Sequence, residues 1–264
     1  MSDPAVLVED LKVVRGGRTV LAVPRLELSA DDRLVVLGAN GSGKSTLLSV
    51  LSGRLWPTSG EVRVLGRRFG SADLRELRTV VGVVAAGVSR SLEAGMTAEE
   101  VVLTGVDGAL APWWTTYSPA QRAKAGQQLA AVEAALGHGL GGRSFAQLSE
   151  GERQLVLLAR MAMQGPDLVL LDEPFAGLDL GARERLLAVL EAGVFARSAA
   201  PAVLVNHHVE EIPRGATHAM VLGDGQVLGL GRLPEVLRAE LLTAAFGLEL
   251  GIEESGGRYR AWGR

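Results

Sequence analysis

No cysteine occurs among the 264 residues, which excludes disulfides and thiolate metal sites and fits the cytosol. Lysine is nearly as scarce. It stands only at Lys12, Lys44 and Lys124, so almost all of the 27 basic side chains are arginines. The 30 acidic residues outweigh them to a net charge of −3, which argues against a surface built to coat nucleic acid. Long apolar runs are missing too. The longest, such as Val80 to Val88, have the length of a strand, well short of the roughly 18–20 residues that cross a bilayer. The opening MSDPAVLVED is acidic and has no signal-peptide pattern. There is no internal repeat and no long low-complexity linker. The expectation is a soluble protein, with any membrane crossing left to another chain. With 47% hydrophobic residues, a chain of this length can bury one large core, with or without a lobe.

What is present centres on Val35 to Leu51, VVLGANGSGKSTLLSVL. Val35, Val36 and Leu37 read as the end of a buried strand. Gly38, Ala39, Asn40, Gly41, Ser42, Gly43, Lys44 and Ser45 then fit G-x-x-x-x-G-K-[ST], with Thr46 following. A phosphate must come close to the main chain, so the glycines omit side chains and allow unusual dihedrals. Successive N–H groups form an anion nest at the positive end of the helix carrying Leu47, Leu48 and Leu51. Lys44 can reach the β- and γ-phosphates, and Ser45 can offer its hydroxyl to Mg²⁺. The sequence predicts nucleotide binding here.

Around this stretch, residues 5–28 read as β segments joined by a turn at Gly16-Gly17. A strand is expected at 61–66, a short polar helix from Asp73 to Arg78, and a strand from Val80 to Val84. Near residue 85 the pattern becomes helical. Thr97 with Glu100, and Ser118-Pro119 with Gln121, are capping-box starts. The helix after Ser118 puts Ala125, Leu129, Val132 and Leu136 on one face. A further helix carries Leu155, Leu158, Ala159 and Ala162. Strand Leu168–Leu171, a helix over about 181–196, strand Val203–Val205 and short strands near 218–222 and 226–230 follow. A last helix, Pro234 to Phe246, precedes an Arg/Gly-containing tail. Alternating strands and helices imply an α/β fold with a largely parallel sheet.

Two further stretches carry chemistry. Leu168 to Leu171 ends in Asp172-Glu173, putting two carboxylates at a strand's C-terminal edge, where ligands of doubly wound sheets bind. Asp172 can hold Mg²⁺ through water, and Glu173 can orient or deprotonate an attacking water. Leu148 to Glu152, LSEGE, opens the preceding helix with Ser149 as N-cap. A helix N-terminus with Ser and Gly is also a second phosphate-binding device. One nucleotide held between two such devices requires a folded-over chain or two copies of the molecule.

GANGSGKST, LSEGE, LVLLDEP and AGLD, in that order and spacing, resemble the nucleotide-binding domain of an ATP-binding cassette (ABC) ATPase. The resemblance implies a P-loop core with a parallel sheet and an N-terminal antiparallel β-subdomain. It divides the chain into an ABC domain over 1–232, with a helical subdomain inserted over about 85–165, and a C-terminal helix and tail over 233–264. It implies an ATPase that uses ATP and Mg²⁺ and works as a homodimer, or a heterodimer with a second ATPase. Its partner would be a membrane permease subunit and not nucleic acid, at the inner face of the cell membrane. By the same resemblance, Ser149 and Gly151 would bind the γ-phosphate of ATP held by the other subunit. Asp179 would lie at the dimer contact, and His207 would be the switch histidine near the γ-phosphate and attacking water. The segment 207–213 and the tail are similar to those of importer ATPases of the molybdate and iron-siderophore groups.

Several positions depart from the family pattern. Glu150 and Glu152 replace Gly and Gln in the signature. A carboxylate turned away from phosphate is compatible with binding, and one turned toward it repels. The glutamine expected after the strand at 80–84 falls near Ala86, with no Gln nearby. Arg15 stands where an aromatic normally stacks on adenine, and its guanidinium plane can stack instead. Asn206 replaces the Thr that often precedes the switch histidine. Trp113 and Trp114, in the insert, fit either core packing or a partner contact. A soluble ABC assembly factor, for example in iron–sulfur cluster building, is the alternative function. Repair and translation relatives carry coiled-coil insertions or a second cassette that this chain lacks.

Overall fold

The structure is a computed structural model that describes residues 3–93, 95–110, 116–196 and 200–264. Strands β1 (Val6–Arg15) and β2 (Arg18–Leu28) bury alternate side chains and pair antiparallel across Gly16 and Gly17. β3 (Arg33–Leu37) is buried along its whole length and feeds α1 (Lys44–Leu51). β4 (Ser59–Val64) and β5 (Arg67–Arg68) add to the antiparallel edge beside β1. Next come α2 (Leu74–Val80), capped by the Asp73 carboxylate on Arg75 N, and β6 (Val81–Ala85).

The predicted helical stretch contains α3 (Ala86–Ser91), α4 (Ala98–Leu103), α5 (Pro119–Leu136) and α6 (Glu150–Gln164). Both expected capping boxes are formed, at Thr97/Glu100 and Ser118/Gln121. Ala125, Leu129 and Val132 are buried, and Leu136 packs against the same core. Trp113 and Trp114 lie outside the described residues. β7 (Leu168–Asp172), α7 (Leu180–Ala192), β8 (Ala202–Asn206), β9 (His218–Gly223) and β10 (Gln226–Arg232) follow.

Among the described residues the main sheet has ten strands, in the order β5-β4-β1-β2-β10-β9-β3-β8-β7-β6. The run β9-β3-β8-β7-β6 is parallel. The rest is antiparallel apart from a single parallel bridge between β10 and β2. The sheet is therefore mixed, with its parallel part confined to the nucleotide-binding half. Alternate residues of β3 serve two cores. Leu34 and Val36 pack with α1, α2 and the antiparallel strands, whereas Val35 and Leu37 pack with the helices of the other face. Cover on both faces accounts for strands that read as unbroken apolar runs.

The C-terminal region departs from expectation. The single helix expected over 234–246 is two, α8 (Leu233–Val236) and α9 (Ala239–Phe246), separated by Leu237 and an extended Arg238. Pro234 is well placed in the first turn of α8, and Gly247 ends α9 at φ +68°. The tail is a hairpin of β11 (Leu250–Ser255) and β12 (Arg258–Gly263), turned by Gly256 and Gly257 at positive φ. Ala261 N donates to Glu210 Oε1 at 2.9 Å, and Arg258 Nη2 reaches both carboxylate oxygens of Glu184 at 2.8 and 2.9 Å. The hairpin is thereby fixed to α7 and to the turn after β8.

Candidate functional site

The loop between β3 and α1 is shaped by what its glycines omit. A Cβ on Gly38 would lie 2.3 Å from Leu222 O and 2.7 Å from Ser42 Oγ. Gly43, at φ +101°, caps α1, and a Cβ there would lie 2.9 Å from Val20 O. Between them Ser42 N donates to Ala39 O at 3.2 Å, and Asn40 and Gly41 are exposed. Lys44 is buried and folds back over the loop, donating to Gly38 O at 2.8 Å and Ala39 O at 2.9 Å. Burial pushes its ammonium below the usual lysine range, against the opposing charges of Glu173 and Asp172. These carbonyl bonds are replaceable, so phosphate oxygens can take their place.

The parallel strands bring the acidic residues to the same edge. Ser45 Oγ donates to Asp172 Oδ1 at 3.0 Å. Burial raises the Asp172 carboxyl, as does the neighbouring Glu173 charge, while the Ser45 hydrogen bond, Lys44 and His207 oppose the rise. A desolvated carboxylate beside a hydroxyl is a hard oxygen pair that a divalent cation satisfies. Among the described residues no three His, Cys, Asp or Glu side chains cluster as a metal cage. Hydroxyl plus carboxylate suits Mg²⁺, which keeps its waters and takes substrate phosphates as further ligands.

Glu173 follows at φ +51°, a left-handed conformation uncommon for a residue with a side chain. Its N–H donates to Val205 O at 3.0 Å, and its Oε1 lies 2.6 Å from His207 Nε2. The two side chains are part-exposed, at 32% and 25%. Asn206, fully buried, donates from Nδ2 to Glu211 O at 2.9 Å and so shapes the turn that presents His207. Arg15, Lys44, Ser45, Thr46 and Glu173 line one groove of about 270 Å³. Arg15, Glu173 and the loop therefore share a surface.

The helix start expected from the sequence to be a second phosphate device sits apart, in a recess of about 380 Å³ lined by Ser149, Gly151, Glu152, His138 and Arg185 among others. None of these residues lines the first groove. Ser149 caps α6 in a full capping box with Glu152. Gly151 is a close-packing position, since a Cβ there would lie 2.8 Å from Ala182 Cβ. Asp179 is exposed and caps α7 by accepting from Ala182 N at 2.7 Å. Ala86 opens α3 at the end of β6. Glu152 is turned back onto its own helix start, held by Ser149 N, His138 and Arg143. Sequence reading missed His138 and Arg143. Their only signal is a histidine and an arginine, 14 and 9 residues ahead of Glu152, upstream of an acidic signature.

The family profile described as ABC transporter matches residues 21–176. The chain is 38% identical over 260 residues to the hemin import ATP-binding protein HmuV of Myxococcus xanthus, covering 94% of this chain and 91% of that protein. It is 35% identical over 242 residues to the uncharacterized ABC transporter ATP-binding protein YlmA of Bacillus subtilis, at 90% and 89% coverage. The ATP-binding cassette MJ0796, solved as a dimer in a post-hydrolysis state with ADP and Pi, superposes with a TM-score of 0.71. That match has 24% identity and covers 86% of this chain and 98% of the cassette.

Proposed function

The chain belongs to the ABC transporter family of ATP-binding proteins, and from that membership we propose that it is the ATP-hydrolysing subunit of an importer. The observation that carries the reading is the convergence at one sheet edge of a phosphate loop, the Ser45–Asp172 pair and the Glu173–His207 pair. Relatives named for hemin import favour uptake as its direction.

ATP enters the groove with its base toward Arg15 and its phosphates on the loop from Gly38 to Thr46. Lys44 exchanges two loop carbonyls for β- and γ-phosphate oxygens. Ser45 and Asp172 would hold Mg²⁺, which would supply charge neutralisation at the phosphates. Glu173 accepts a proton from the attacking water. His207 holds that carboxylate and faces the γ-phosphate. A second copy lends Ser149 and Gly151, with Asp179 at the contact, so ATP joins two subunits and hydrolysis releases them. A separate permease receives that motion. The groove beside α3, lined by Arg54, Val83, Val88, Gly105, Leu110 and Arg160, is its docking position. No helix among the described residues is long and apolar enough to cross a membrane.

Glu173→Gln tests the assignment. The variant is expected to keep ATP binding, to lose all but about one hundredth of steady-state phosphate release, and to elute as an ATP-dependent dimer in gel filtration. Hydrolysis at the parent rate would remove Glu173 from the chemistry.

A further inference from the structure

The signature of this chain carries a problem that its structure also answers. A helix start meant to receive a triphosphate holds two glutamates, Glu150 and Glu152. Glu150 lies along the helix, accepting from Gln154 Nε2 at 2.9 Å with Arg153 Nη1 at 3.7 Å. Glu152 sits deeper, its side chain only 11% exposed. Its Oε2 accepts from Ser149 N at 2.7 Å, while Oε1 lies 2.9 Å from His138 Nε2 and 2.5 Å from Arg143 Nη1. Burial alone would push this carboxyl up. Hydrogen bonds from His138, Ser149 and Arg143 outweigh burial and hold it at about 2. Glu152 is therefore ionised at any working pH, one turn from the serine that would meet a phosphate. Like charges that close, with little water between them, repel strongly.

Arg143 is built into place. Its N–H donates to Leu140 O at 2.8 Å, and its carbonyl accepts from Ala98 N at 3.0 Å. Phe145 N, two residues on, donates to Met96 O at 2.9 Å. The loop before α6 is thus pinned to the start of α4, and the guanidinium reaches Glu152 from a fixed backbone. His138 comes from the end of α5, just past the Gly137 cap.

We infer that Arg143 is a charge-compensating positioning residue of the signature, neutralising Glu152 so that the α6 N-terminus can take the terminal phosphate of ATP held by a second copy. The inference rests on the dimeric ATPase reading. In a chain with a neutral residue at 152 the arginine would have no such duty, so the two positions are coupled.

The test uses the full chain in the Glu173→Gln background, with ATP-driven dimerisation followed by light scattering. Binding of a fluorescent ATP analogue at concentrations where the protein is monomeric is measured in parallel. Arg143→Met is expected to raise the ATP concentration for half-dimerisation by about thirtyfold, with analogue binding to the monomer unchanged. Arg143→Lys, which keeps the charge, retains most of the dimerisation. Combining Arg143→Met with Glu152→Gln restores it to within about threefold of the parent. Unchanged dimerisation in Arg143→Met, or a double variant as impaired as the single one, overturns the inference. A Glu173→Gln parent that stays monomeric with ATP overturns the dimer reading itself, and does so before Arg143 is altered.

Discussion

Glu173 holds the least favourable backbone geometry in the site, at φ +51°, and a conformation of that kind costs about 1–2 kcal/mol for a residue with a Cβ. The hydrogen bond from its N–H to Val205 O keeps it there, with its carboxylate against His207. Stability is thus given up to aim one side chain. Glu173→Gly is expected to stabilise the fold by about 1 kcal/mol while abolishing hydrolysis. Urea denaturation and phosphate release measured on the same protein check both halves, and a destabilised variant would show that no strain is held there. At this scale the sequence was most legible where chemistry is contiguous. Gly38 to Thr46 sit in one run, and Asp172-Glu173 end an apolar strand. The Glu152 cluster was not legible, because His138 and Arg143 approach from two different segments and follow no period. Whether Glu152 turned toward or away from phosphate depended on those two side chains.

Among the elements, α6 shows a packing duty that its motif concealed. Gly151 reads as a phosphate-binding glycine, yet a Cβ there would meet Ala182 Cβ at 2.8 Å, pushing α6 away from the first turn of α7. Gly151→Ala is expected to destabilise the protein by about 1–3 kcal/mol through this overpacking, even without nucleotide. A urea midpoint equal to the parent's would refute the contact. Capping boxes announced α4 and α5 because their signals are local: a hydroxyl at the cap and Glu or Gln three residues later. The C-terminal hairpin announced itself poorly. LGIEES and RYRAWG are short and lack a clean apolar–polar alternation, and their pairing becomes visible only once Gly256-Gly257 turns them together. The break at Leu237-Arg238 was equally hidden, since the apolar pattern runs through it.

At the scale of the whole molecule, Glu152 contributes stability that acid removes, while the raised carboxyls of Asp172 and Glu211 act in the opposite sense. The Glu152 carboxyl falls from an ordinary 4.5 to about 2 in the folded chain. Its contribution is therefore complete above pH 4.5 and is lost as pH falls toward 2. Replacing it by Gln is expected to flatten the unfolding free energy across that window relative to the parent, as read from urea midpoints at several pH values. An unchanged slope would mean the ion cluster is not closed in solution. The parallel run was legible in the alternation of strands and helices. The full ten-strand order was not, because the join between its two halves is the single bridge from Gln226 to Ala22. The terminal hairpin adds a second kind of join. Arg258 grips α7 while Ala261 grips the turn that bears Glu210, three residues past His207. It acts as a tie-bar laid outside the sheet, so a swing of α7 that left the histidine behind would first have to tear it loose.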